Sequence, residues 1–210
     1  TFGIGGSIFH ALGTGAWRDA FIIGGGLIGA LLMGYLTVRE QSQAAIEAGL
    51  ADDFIDSLSE VNLLDVLFDA TIGFIDGTML GVGGKISRAV FWGGITYIIS
   101  NRVFSVINMA TGGSEIQFQH RDIGLGGMSS GTTAGLDNIL PNKTFWNALG
   151  VTSLLHIATD DDPFQNPVEV LVALGAGVVN DFASSKESLS DITVAIANSI
   201  LNILGLATDS

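Results

Sequence analysis

The sequence predicts an all-α, membrane-embedded bundle of several helices with a long Gly-rich connection. Charge is scarce: charged residues make up 14% of the chain and hydrophobic residues 48%, whereas an average soluble domain carries roughly 25% charged residues. An uncharged run near the amino end, Ala20 to Val38, has close to the ~20 residues that cross a bilayer core as a helix. Glycines, 29 in all against 3 prolines, recur at the spacing that lets helix backbones approach one another. With so little charge to cover a water-facing surface, part of the exterior is expected to face lipid or other subunits.

The chain opens on Thr1 rather than Met, as expected of a processed product or a piece of a longer chain. Thr1 to Trp17 lacks the basic start and apolar stretch of a signal peptide. The run that follows, AFIIGGGLIGALLMGYLTV, is closed by Arg18 and Asp19 at one end and by Arg39 and Glu40 at the other. Trp17 and Tyr35 sit near its ends, where amphipathic rings settle at a lipid–water boundary. Gly25 and Gly29 form a small-xxx-small pair, continued by Ala30 and Gly34, and these four predict a smooth face for helix packing. Gln41 to Glu60 is polar and acidic and predicts a surface helix or two short ones.

Val61 to Gly84 is apolar except for Asp65, Asp69 and Asp76, which fall within roughly 40° of one another on a helical wheel. A charge inside an apolar segment costs about 2.5 to 3.5 kcal/mol on insertion scales. The three are therefore expected to line a polar path, contact a cation or meet a partner helix, unless they form a solvated surface face. Gly81 to Gly84 stops the segment, and Ala89 to Ala110 resumes it, which predicts a helical hairpin with its turn near Lys85. Arg18, Lys85 and Arg88 would place the amino end and that turn on the cytoplasmic side.

Thr111 to Lys143 contains Gly112, Gly113, Gly124, Gly126, Gly127, Gly131 and Gly135 with few periodic apolar residues, and reads as the long connection. Thr144 to Ala158 is helical in pattern. Pro167 opens a further helix at the position where its missing N–H costs least, running to about Phe182. Ser190 caps a last one, with Asp191 in its first turn. The expected division is amino-terminal membrane helices with an acidic connecting segment over 1–112, a Gly-rich loop over 113–143, and a carboxy-terminal helical segment over 144–210.

The acidic balance, 21 Asp and Glu against 8 Lys and Arg for a net charge of −13, excludes nucleic acid as a direct partner, because binding phosphates needs a basic face. The absence of cysteine excludes disulfides, thiolate metal sites and cysteine nucleophiles. His10, His120 and His156 are scattered, and no spacing suggests a metal site. The Ser-His-Asp types are present, but no G-x-S-x-G elbow accompanies them. Gly81 to Ser87 falls short of a phosphate loop, because Met79 stands where the first glycine belongs and Ile86 follows Lys85. Asn142-Lys143-Thr144 meets the glycosylation sequon.

Gly24, Gly26 and Gly29 satisfy G-x-G-x-x-G, and the string IIGGGLIGA resembles the opening of flavin- and nicotinamide-binding oxidoreductases. That resemblance covers about ten residues and implies a dinucleotide held at those glycines, with Phe21 to Ile23 as the preceding strand. The fingerprint also needs a second strand ending in an acidic residue about 20 positions on. Glu47 and Asp52 lie near that distance, but the residues before them form no apolar strand.

These readings predict a non-enzymatic integral membrane subunit without cofactor or metal. It would be channel-forming or an assembly scaffold, and would work as a homo- or hetero-oligomer in a lipid bilayer. The first alternative is a structural or delivery protein of a virion or secretion machine. Its apolar helices would be buried between subunits of a virion or extracellular assembly and inserted into a membrane during delivery. An oxidoreductase using Gly24, Gly26 and Gly29 with FAD or NAD is the second.

Overall fold

The computed structural model describes residues 15–114, 120–159, 167–185 and 190, and every regular element among them is helical. In chain order these are α1 (Gly15–Glu47), α2 (Phe54–Ser57) with a 3-10 turn at Leu58–Glu60, α3 (Leu63–Val82), α4 (Gly84–Ala110), α5 (His120–Ile139), α6 (Thr144–Thr159) and α7 (Pro167–Ser184). The last helix expected after the Ser190 cap, and the stretch containing His10, lie outside the described residues, of which Ser190 itself is one. Contacts divide the chain into two units, Thr1–Gly83 and Gly84–Ser210. The boundary between these units falls at a glycine pair. Gly83 and Gly84 have φ of 79° and 67°, a conformation that side chains of L-residues disfavour, so the helix ends there.

In the first unit α1 and α3 run antiparallel. Helix α1 ends in a Schellman motif: Gly49, at φ 70°, donates to the Ile46 carbonyl at 3.0 Å, and the Leu50 N–H reaches the Ala45 carbonyl at 2.9 Å, which satisfies carbonyls that a helix end leaves open. Asp53 caps α2, its carboxylate accepting from the Ile55 and Asp56 N–H groups at 2.8 and 2.9 Å. Asn62 caps α3 by accepting from Leu64 N–H at 3.0 Å. Gln41 ties the two long helices together at this end, accepting from Asn62 N–H at 2.7 Å and donating to Asp65 at 3.2 Å.

In the second unit α4 to α7 alternate in direction, and α5 and α7 each touch the other three: α5 packs on α4, α6 and α7, and α7 packs on α4, α5 and α6. Phe104 of α4 forms a small apolar cluster with Val172, Ala176 and Val179 of α7. Asp137 joins α5 to α6, accepting from Thr144 Oγ1 at 2.8 Å and Asn147 Nδ2 at 2.7 Å, with Lys85 Nζ at 3.9 Å.

The Gly-rich stretch expected as a connection is a helix over most of its length. Helix α5 comprises His120–Ile139, and it buries Gly124, Gly126, Gly127, Ser129, Ser130, Gly131, Thr133, Ala134 and Asp137. Each glycine costs a helix about 1 kcal/mol relative to Ala, so propensity argues against it. Packing decides otherwise: small side chains let neighbouring helices close onto α5. A side chain at Gly126 would strike Tyr97 at 2.8 Å, and one at Gly93 would strike Ser130 at 2.5 Å.

Candidate functional site

The packing face expected on α1 has a matching face on α3. A Cβ added at Gly25 would lie 2.5 Å from the Gly77 carbonyl oxygen, and one at Gly29 would lie 2.0 Å from that of Gly73. The fit is mutual, because a Cβ at Gly73 or Gly77 would come within 2.2 or 2.0 Å of the opposite carbonyl. Gly81 continues the series against Ile22 and Phe21. Gly34 lies against Ala70 and Val66, while Ala30 is half-buried. Gly26 is also enclosed, by Thr78 and Phe74. The partner set Gly73, Gly77 and Gly81 was legible at its four-residue spacing but not singled out.

A continuous helix through Phe21 to Gly29 is incompatible with the dinucleotide-binding arrangement, which needs a strand before the glycines and a tight turn at them. Phe21 to Ile23 is helical, as are Gly24 and Gly26. The local resemblance to oxidoreductases therefore carries no matching structure.

Asp65, Asp69 and Asp76 are all at least half-buried, none on the outer face of α3. Asp69 is 1% exposed and accepts from Thr37 Oγ1 of α1 at 2.7 Å. Asp65 accepts from Gln41. One carboxylate oxygen of Asp76 is buried without a hydrogen-bond partner.

A second polar cluster lies in the other unit, where none was expected. Asp181 of α7 is completely buried. Ser129 of α5 and Thr152 of α6 donate to its Oδ2, and Ser130 donates to Oδ1 at 3.0 Å. The neighbouring Asn180, also completely buried, donates to Ser130 Oγ at 3.3 Å and accepts from Thr96 of α4. All four helices thus contribute to one network. Beside it is a cavity of about 40 Å³ whose lining includes Asp181, Ser129, Thr152, Tyr97 and His156. The signal was available: Asp181 is an acid that follows the long apolar run from Val170 to Val179, the pattern that singled out Asp65, Asp69 and Asp76.

Outside these clusters the distribution of polarity is inverted relative to a water-soluble fold. Among the described residues, buried polar side chains outnumber buried apolar ones, and most of the latter are alanines. The large apolar residues point outward instead: Phe21, Ile23, Leu27, Ile28, Leu31, Leu32 and Tyr35 on α1; Leu63, Leu64, Leu67, Phe68, Phe74 and Leu80 on α3. Phe91, Ile99 and Val106 on α4 and Trp146, Leu154 and Ile157 on α6 do the same. The hydroxyl of Thr71, on the outer face, is turned back into its own helix, donating to the Leu67 carbonyl at 2.8 Å, and that of Thr78, beside Gly26, does the same to the Phe74 carbonyl at 2.7 Å. Such bonds leave little polarity for a solvent to satisfy.

Two helices, Arg18–Glu47 and Gly84–Ala110, are long and apolar enough to cross a membrane. Only 17% of the apolar window in the first is buried, whereas the core helix of a water-soluble protein would be mostly covered. No protein-family model, curated protein or solved structure matches the chain.

Proposed function

We propose that the chain is a non-enzymatic integral membrane subunit that acts as an assembly scaffold, its helices packed through small-residue faces and its apolar exterior turned to lipid. The inverted burial carries this reading. Fully burying a large apolar side chain is worth about 1.5 to 3 kcal/mol, so the seven outward residues of α1 alone would forgo on the order of 10 kcal/mol in water. In hydrocarbon that cost vanishes, and buried Ser, Thr, Asn and Asp side chains become the groups that must pair inside. The hydrogen bonds of Asp65 and Asp69 to α1 favour a packing role for this face of α3 over an open channel through it.

The test is alkaline carbonate extraction of membranes from cells expressing the full chain. A bilayer resident stays in the pellet and is released by detergent. Recovery as a monomer in detergent-free buffer overturns the reading. Recovery in a large soluble particle instead supports a delivery component of a virion or secretion machine, whose apolar faces are covered by neighbouring subunits.

A further inference from the structure

We propose that the cavity beside Asp181 is a binding site for a small monovalent cation, with Na⁺ as the ion to test. The inference deepens the membrane reading above and rests on it only for the low dielectric around the site. An isolated carboxylate removed from water is among the most expensive groups to bury, and it persists only when paired or strongly hydrogen-bonded. Among the described residues no Lys, Arg or His makes an ion pair with Asp181; Lys85 lies against Asp137 instead. What surrounds Asp181 instead is a set of neutral donors, the hydroxyls of Ser129, Ser130 and Thr152. Donors aimed at a carboxylate offset part of the cost of burying its ionised form, and no protein cation stands opposite to offset the rest.

The same groups are suited to complete a cation site. A serine or threonine hydroxyl that gives its proton to a carboxylate still presents oxygen lone pairs. Ser129 and Thr152 line the cavity together with Asp181, beside His156 and apolar residues such as Leu125 and Leu155, and so offer it oxygen ligands of the kind that hard cations prefer. A cavity needs only about 10 to 15 Å³ to admit a water, so about 40 Å³ has room for a small ion with a water beside it. A divalent ion fits poorly, because Ca²⁺ draws on six to eight oxygens and usually several carboxylates, and this cavity has one acid. One negative charge matches one positive charge. Helices α5, α6 and α7 all supply ligand oxygens, so occupation of the site would also hold the three helices together.

The experiment is equilibrium dialysis of the detergent-purified full chain against radioactive Na⁺, with N-methylglucamine chloride keeping ionic strength constant. The expected result is saturable retention approaching one ion per chain. Asp181→Asn should abolish it, and Ser129→Ala and Thr152→Val should each weaken it about tenfold while circular dichroism shows an unchanged helix content. Asp76→Asn, in the other unit, should retain wild-type binding. Absence of retained Na⁺ overturns the proposal, as does binding that survives Asp181→Asn or is lost with Asp76→Asn. If Asp181→Asn does not fold, unchanged binding by both hydroxyl variants overturns it equally. A chain that binds Na⁺ yet is extracted by carbonate loses the membrane reading and keeps the site.

Discussion

Gly29 and Gly24 lie five residues apart on one helix and should respond in opposite ways to the same added methyl group. At Gly29 a new Cβ would sit 2.0 Å from the Gly73 carbonyl oxygen, and ordinary contact begins near 3.4 Å. The α1–α3 backbones must therefore part locally by about 1.4 Å (3.4 less 2.0). A gap of 0.5 to 1 Å already forfeits about a quarter to a half of a dispersion contact, and inserting a methyl into a packed interface typically costs about 1 to 3 kcal/mol. At Gly24 nothing lies within 4 Å of the new Cβ, so only helix propensity changes, a gain of up to about 1 kcal/mol. That gain is common to both positions, so Gly29→Ala should unfold more easily than Gly24→Ala by the overpacking cost alone, about 1 to 3 kcal/mol. The assay is loss of far-UV circular dichroism as the mole fraction of a denaturing detergent rises in mixed micelles. Equal stability of the two variants would refute the close backbone contact between α1 and α3.

Three further tests address other parts of the structure. The absence of native cysteine makes a Gly34→Cys, Ala70→Cys pair a clean reporter. A Cβ at position 34 lies 3.6 Å from that of Ala70, inside the roughly 3.5 to 4.5 Å span of disulfides, so mild oxidation should link the pair and shift its mobility on a non-reducing gel. Asp137→Ala removes the acceptor of Thr144 and of the buried Asn147. Leaving such a donor unmet costs about 1 to 3 kcal/mol, so the midpoint of detergent unfolding should fall, with Asp137→Asn falling less because it keeps one acceptor oxygen. Amide hydrogen exchange should be slow from Gly124 to Thr133, at the buried centre of α5; rapid exchange there would restore the connection that composition suggests.

Much of the first unit was legible because its signals are local. The span of α1 follows from an uninterrupted uncharged run, and its packing glycines from a spacing of four, since residues four apart share one helix face. The stop at Gly83 follows from the cluster of glycines. Asp65, Asp69 and Asp76 could be placed on one face by periodicity, but whether that face meets water, an ion or a helix depends on its neighbour. The structure puts Thr37 and Gln41 against two of the three, residues that lie 32 and 24 positions away in the chain.

The second unit shows the limit of local reading. Taken alone, HRDIGLGGMSSGTTAGLDNI has the glycine content of a connection, and its intrinsic helix preference is poor. It becomes a helix because α4, α6 and α7 surround it, a condition that no window of sequence contains. The polar cluster likewise depends on bringing Thr96, Ser129, Thr152 and Asp181 together from four separate helices. Composition and periodicity, which report what each segment would do by itself, determined that the chain is helical, rich in small residues and short of charge. Tertiary packing decided which polar groups meet inside and which apolar faces are left outside, because hydrogen bonds and close contacts between helices are made only once distant segments share the same space.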